Sequence, residues 1–171
     1  PNMGQIPAVY SPYGRECRDV WAVPEGYKLV GMDASQLELR MLAHYMNDEG
    51  YTNEVLNGDI HTANQLAAGL ETRDQAKTFI YAFLYGAGDA KIGNIVGGTA
   101  KDGKRLKEKF LANTPSLGRL RERVGVASGR GYVLGLDKRR VYVRSAHAAL
   151  NTLLQSAGAI VMKKALCLLD E

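Results

Sequence analysis

Thr72-Arg73-Asp-Gln75-Ala-Lys77-Thr-Phe-Ile-Tyr81-Ala-Phe-Leu-Tyr85-Gly86-Ala-Gly88 is the stretch from which the fold is read. Thr72 followed three residues later by Gln75 has the form of a capping box, which marks the start of a helix. The helix predicted from it runs to about Tyr85 and stops at Gly86-Ala-Gly88. Arg73, Lys77, Tyr81 and Tyr85 are four residues apart, and each such step drifts by about 40° around a helix. Arg73, Lys77 and Tyr81 therefore share one stripe, with Tyr85 at its edge. Phe79, Ile80, Phe83 and Leu84 remain to build a core. Two cations followed by tyrosines suit a nucleotide laid along the helix, with cations on phosphate and rings on base and sugar. The plainer alternative is a surface stripe whose tyrosines sit at the core boundary. Gly86 and Gly88 would permit close approach of a backbone or base. The segment is not a dinucleotide-binding turn, because a third glycine and a preceding strand are lacking, and the chain has no Walker A loop.

Upstream, residues 1–24 carry turn formers and little periodicity, and they read as an extended wrap. Tyr27 to Met32 is a short apolar run that predicts a buried strand ending at Asp33. A helix is expected from Ser35 to Met46, with Leu37, Met41 and Tyr45 on one face. Asn57-Gly58-Asp59 is a turn, and a helix from about His61 to Ala68 follows. Downstream, helices are expected over 89–96, 101–112 and 115–126. Tyr132 to Leu136 and Arg140 to Arg144 predict a hairpin around Asp137-Lys138. A last helix runs from His147 to Leu169. The fold class is α+β, dominated by helices.

Asp33 stands where the predicted strand stops, so its carboxylate is rigidly held yet open to a cleft, as a divalent-metal ligand requires. An acidic residue near a helix N-terminus explains Asp33 equally. Ser35-x-x-Glu38 matches a second capping box, so Glu38 also has a purely structural reading. His147, Asn151 and Gln155 form a polar stripe on the last helix. Amide side chains can donate to the minor-groove acceptors common to all base pairs; a solvent-facing stripe is the alternative.

Composition narrows the class. The 171 residues carry 22 Lys and Arg against 18 Asp and Glu, a net charge of +4. Basic residues concentrate in 101–144, which suits a phosphate-facing surface or an ordinary solvated one. No apolar run approaches the roughly 18 residues of a membrane span, and no signal peptide is read at the start, so no membrane partner is expected. Two distant cysteines give neither a disulfide framework nor metal-ligand spacing, which points to a reduced, intracellular setting.

Together these segments resemble family A DNA polymerases, most closely those of short-tailed bacteriophages. Pro1-Asn-Met-Gly-Gln-Ile-Pro7 looks like the lead-in to the palm. Asp33-Ala-Ser-Gln-Leu-Glu-Leu-Arg40 looks like motif A, and Arg73 to Gly86 looks like motif B, the O helix of the fingers. Gly58-Asp-Ile-His61-Thr62 and Ala149-Leu-Asn151-Thr-Leu-Leu-Gln155-Ser-Ala-Gly158 match as well. The resemblance covers nearly the whole chain.

The resemblance implies part of a right-hand polymerase. Residues 1–57 would be the N-terminal part of the palm, 58–130 the fingers, and 131–171 a return to the palm. Asp33 would be one of two catalytic aspartates holding a pair of Mg²⁺ ions, joined by the Ala34 carbonyl. Arg73, Lys77 and His61 would bind the triphosphate, with Lys77 a general acid for the departing pyrophosphate. Tyr81 would pack on the incoming nucleotide. Glu38 would be the gate against a ribose 2′-hydroxyl, held by Tyr85. Gly86 would lie near the template base, and Asn151, Gln155 and, more weakly, His147 near the primer terminus. Tyrosine at position 81 implies ready use of dideoxynucleotides. The implied partners are primer-template DNA and deoxynucleoside triphosphates, in the cytoplasm of an infected bacterium if phage-encoded.

The family's second aspartate lies in a His-Asp-Glu turn, and these residues contain none. Asp170-Glu171 reads as a helix end. Thumb, exonuclease and any site for a processivity factor would lie outside this chain. The 171 residues alone are therefore expected to be inactive and poorly soluble. Val124 to Gly131 is short for the phage relatives. Two rivals remain, a single-subunit RNA polymerase and a non-catalytic nucleic-acid-binding module; Glu38 argues against the first.

Overall fold

The computed structural model describes residues 6–170, so Pro1 to Gln5 of the expected palm lead-in and Glu171 lie outside the described residues. The chain divides into two units, residues 1–35 and 36–171. Among the described residues there are nine α-helices and one two-stranded sheet.

The first unit holds one short helix, α1 (Gly14–Asp19), inside the segment expected to be an extended wrap. Arg18 Nε donates to the Pro7 carbonyl at 3.0 Å, tying the start of this segment to the helix. Gly14 is required there, because a Cβ would overlap the Ala8 carbonyl. The strand expected over Tyr27 to Met32 does not form. That stretch is irregular, and Tyr27, Leu29, Val30 and Met32 are all exposed. A strand must pair its backbone groups with a neighbour, and no partner strand is among the described residues.

In the second unit, α2 (Leu37–Met46) starts two residues later than expected. Its N-cap is Gln36 rather than Ser35, with no side-chain cap bond from Gln36, and the Glu38 carboxylate accepts from Tyr85. The buried face is Leu39, Leu42, Ala43 and Met46, while Met41 and Tyr45 are only partly buried against it. The helix is rotated from the expected Leu37-Met41-Tyr45 face because four strongly apolar positions outcompete three mixed ones. Helix α3 (Glu49–Asn57) was not anticipated, although Asp48 caps it through the Tyr51 N–H at 2.9 Å. Helix α4 (Ile60–Ala68) follows the expected turn and ends on Gly69 with φ 69°.

Helix α5 (Arg73–Leu84) has the predicted capping box, with both reciprocal bonds present. Its Phe79, Ile80, Phe83 and Leu84 are buried. Phe79 and Phe83 meet Phe110 edge-on, with centroids 5.2 and 5.4 Å away. Phe110 belongs to α7 (Ala100–Asn113), which packs closely on α6 (Asp89–Asn94) because Gly103 and Gly93 leave no Cβ in the way. Helix α8 (Pro115–Ser128) starts with Pro115 in its first turn, where the missing N–H costs nothing.

Strands β1 (Tyr132–Leu134) and β2 (Arg140–Tyr142) pair antiparallel, with Val133 opposite Val141. The hairpin is as expected but shorter, since Lys138 takes φ 65° in the turn and the Gly135 N–H already bonds to the Arg139 carbonyl. A 3₁₀ turn at Ala146–Ala148 leads into α9 (Ala149–Leu169). Asp170 caps the end of α9, as expected of a helix end. By length and average composition Ala146–Leu169 is apolar enough to cross a membrane, although it holds no unbroken apolar run of that length. Gln155, Lys163 and Lys164 interrupt it, and its first turns are buried in the core through Leu150, Leu153, Leu154 and Ala157.

The aromatic cluster is the centre of the core. Phe110→Ala is expected to lower unfolding free energy by about 3–5 kcal/mol in urea titrations, and a loss under about 1 kcal/mol would show that this packing is not what holds α5.

Candidate nucleotide and nucleic-acid site

Burial of the Phe79-Ile80-Phe83-Leu84 face turns the opposite side of α5 outward. Arg73 and Lys77 are exposed, Tyr81 is half-buried, and Tyr85, the C-cap residue, is 53% exposed. The stripe read from the sequence is thus a real surface of the second unit.

Its end at Tyr85 is a hydrogen-bonded junction of three elements. The Tyr85 hydroxyl donates to Glu38 Oε1 of α2 at 2.8 Å. Gln155 Nε2 of α9 donates to the same oxygen at 2.8 Å and to the Tyr85 hydroxyl at 3.2 Å. The bond to Glu38, followed by partial burial, raises the Tyr85 pKa and keeps the phenol protonated as a donor. Burial first and Glu38 second raise that of Tyr81. Glu38 is therefore fixed by two donors, one of which the resemblance had assigned to DNA instead.

At the other end, Arg73 is joined to Asp59, the N-cap of α4. Arg73 Nε and Nη2 donate to Asp59 at 2.6 and 3.0 Å. Arg73 and then Thr62 hold the Asp59 carboxyl well below the usual carboxylate range. His61, one residue along α4, is almost wholly buried and its Nδ1 has no partner among the described residues. Its ring centroid lies 6.3 Å from that of Tyr81. Burial, then the charge of Arg73, opposed by Asp59 and aided by Lys77, lowers its pKa. His61, Arg73 and Tyr81 are thus brought together at the α4–α5 corner.

Gly86 has φ 73°, and a Cβ there would come 2.8 Å from the His147 carbonyl. Gly88 has an ordinary φ of −64° and open space around it. Gly86 and the exposed His147 flank a 390 Å³ cleft that Lys107, Arg121 and Leu150 also line. Asn151 is half-buried in the first turn of α9.

The basic run of 101–144 is partly structural. Lys107 donates to the Ala87 carbonyl at 2.6 Å and pairs with Asp89, Arg121 lies over the Phe83 ring, and Arg123 donates to the Tyr45 carbonyl. Asp33 is exposed and Ala34 half-buried in the first unit. No cluster of three or more potential metal-binding His, Cys, Asp or Glu exists among the described residues. From the sequence Asp59 reads as part of a turn and of the Gly58-Asp-Ile-His61-Thr62 match, with no role of its own. The signal was available, since Asp before a helix that opens Ile-His-Thr is a strong N-cap.

All 171 residues match the family model described as DNA polymerase family A, and the chain belongs to that family. It is 52% identical to a DNA-directed DNA polymerase of Escherichia phage T7 over 95% of this chain and 27% of the relative. It is 30% identical to the thermostable DNA polymerase I of Thermus aquaticus over 92% of this chain and 20% of the relative. The chain thus spans about a quarter of the length of its phage relative. In fold it resembles the POL domain of Pol1 from M. smegmatis, solved in complex with DNA primer-template and dNTP. The TM-score is 0.76 at 24% identity, over 95% of this chain and 33% of that one. The helix-dominated fold is therefore that of part of a polymerase domain.

The lowered His61 pKa gives a pH prediction. Below about pH 6.5 the unfolded chain takes up a proton that the folded chain resists, so stability falls as pH drops toward the folded midpoint. An NMR titration is expected to place the His61 midpoint below that of a free imidazole, and a midpoint at or above about 6.5 would contradict the burial assigned to the ring.

Proposed function

We propose that this chain is the nucleotide-selecting part of a phage DNA polymerase, acting in template-directed addition of deoxynucleotides to a primer in an infected bacterial cell. The observation that carries this reading is the outward face of α5, which presents Arg73, Lys77 and Tyr81 in order and ends at the Tyr85–Glu38–Gln155 junction. Residues 1–57 and 131–171 would belong to the palm and 58–130 to the fingers.

In this reading the triphosphate lies along the first turns of α5. Arg73 and His61 bind its oxygens, and Lys77 binds them and protonates the leaving pyrophosphate. Tyr81 stacks on base and sugar. Glu38 fills the space a 2′-hydroxyl would occupy. A carboxylate fixed by the Tyr85 hydroxyl can exclude by position, whereas a mobile one would move aside. Gly86 and the neighbouring cleft would receive the template side. Asn151 and His147 would face the primer-template duplex. Gln155 would join them only by exchanging its bonds to Glu38 and Tyr85 for base-edge acceptors.

The Asp33 carboxylate and the Ala34 carbonyl are hard oxygen donors of the kind Mg²⁺ prefers. They form part of a site, since one carboxylate does not hold two ions. When bound, the ions would lower the pKa of the primer 3′-hydroxyl and neutralise charge on the phosphates. The 171 residues alone, with one aspartate of the pair, would not extend a primer.

The test is primer extension by a polypeptide that carries this segment together with the second metal-binding aspartate. Asp33→Ala is expected to abolish extension, and Lys77→Ala to slow it by about 10²–10⁴-fold. Full activity in both variants would favour a binding module instead. Tyr81→Phe is expected to lower the use of dideoxynucleotides relative to deoxynucleotides; unchanged selectivity would remove Tyr81 from the sugar site.

A further inference from the structure

One carboxylate holds the α4–α5 corner together. Asp59 Oδ1 accepts from the His61 N–H at 3.1 Å and from Arg73 Nη2 at 3.0 Å. Its Oδ2 accepts from the Thr62 hydroxyl at 2.8 Å and from Arg73 Nε at 2.6 Å. Two of the five guanidinium N–H groups are thereby used, both on the side edge of the fork. The remaining three belong to Nη1 and Nη2. Two of them, one on each nitrogen, form the end-on fork, the geometry that matches a phosphate bidentately. The Arg73 side chain is 50% exposed, so that fork is accessible.

An exposed ion pair contributes little to fold stability. Its consequence here is geometric. A free arginine samples many rotamers and loses that freedom on binding an anion, whereas one already clamped has lost it beforehand. The same carboxylate caps α4 at the residue before Ile60, so the backbone that carries His61 and the guanidinium of Arg73 share one anchor. Its charge is taken up by Arg73, leaving Lys77 as the long-range attraction for an anion.

We propose that Asp59 is a positioning residue for nucleotide binding. It clamps the side edge of Arg73 so that the end-on fork is presented, preset, to the triphosphate. The inference rests on the reading of α5 as the triphosphate face and assigns Asp59 a role of its own within it.

The test is equilibrium binding of dTTP with Mg²⁺, by titration calorimetry, to the polypeptide used for primer extension, which carries this segment together with the second metal-binding aspartate. It compares wild type, Asp59→Asn, Asp59→Ser, Arg73→Ala and the Asp59→Asn/Arg73→Ala double variant. Asn and Ser both preserve an N-cap, so either keeps α4 capped while removing the charged clamp. Asp59→Asn is expected to weaken binding about five- to tenfold, the loss of one charge-assisted contact. It should cost nothing further in the Arg73→Ala background, and dTMP binding should be unaffected. Unchanged or tighter dTTP binding in both Asp59 variants, with Arg73→Ala still weakening it, would overturn the clamp alone. No effect of Arg73→Ala, or no dTTP binding by the wild type, would overturn the α5 reading beneath it.

Discussion

Burial of one face of α5 is the constraint from which the site follows. Phe79, Ile80, Phe83 and Leu84 are all nearly inaccessible, and Phe110 closes against two of them. At 3.6 residues per turn the stripe runs along the edge of that face, so its burial leaves Arg73, Lys77 and Tyr85 exposed and Tyr81 half-buried. The capping box at Thr72 fixes where the helix begins, and so fixes the phase of the stripe. Removing a large aromatic from such a core costs several kcal/mol, far more than any single surface contact here contributes. The chemistry is displayed by the packing behind it.

Both ends of the stripe are then pinned by carboxylates from other helices. Glu38 of α2 accepts from Tyr85, and Asp59 at the head of α4 accepts from Arg73. The two anchors differ in kind. Tyr85 is a neutral donor whose pKa is raised, so that junction keeps its proton through the physiological range. Asp59 is an anion held charged by a guanidinium. A small nucleotide laid between them would meet a fixed arginine at its phosphate end and a fixed carboxylate at its sugar end.

The helices and their order were legible because their signals are local. Thr72 with Gln75, Gly69 after α4, Pro115 at α8 and Asp137-Lys138 in the hairpin each act within four residues. What the sequence withheld depended on distant partners. Leu29, Val30 and Met32 have strand character, but pairing decides whether a strand exists, and pairing lies outside the run. Ser35-x-x-Glu38 has the letters of a capping box, yet Glu38 bonds to Tyr85 and Gln155, 47 and 117 residues away. The stripe on α5 was visible from periodicity. The grip of Asp59 on Arg73, 14 residues apart across a turn, was not. Helix α3 was missed although Asp48, Tyr51 and Val55 have cap and spacing, because Gly50 and the polar Thr52, Asn53 and Glu54 dilute its apolar face.

The central claim is that the outward face of α5 receives a nucleoside triphosphate. The direct measurement is NMR of a polypeptide that carries this segment together with the second metal-binding aspartate, with labels at the residues named below, as dTTP and Mg²⁺ are added. The account predicts saturable shifts at Arg73, Lys77, Tyr81, Tyr85 and His61, with the buried Phe79 and Phe110 rings little changed. Saturable shifts confined to other surfaces, such as the basic hairpin around Arg140, with the α5 stripe silent, would contradict it.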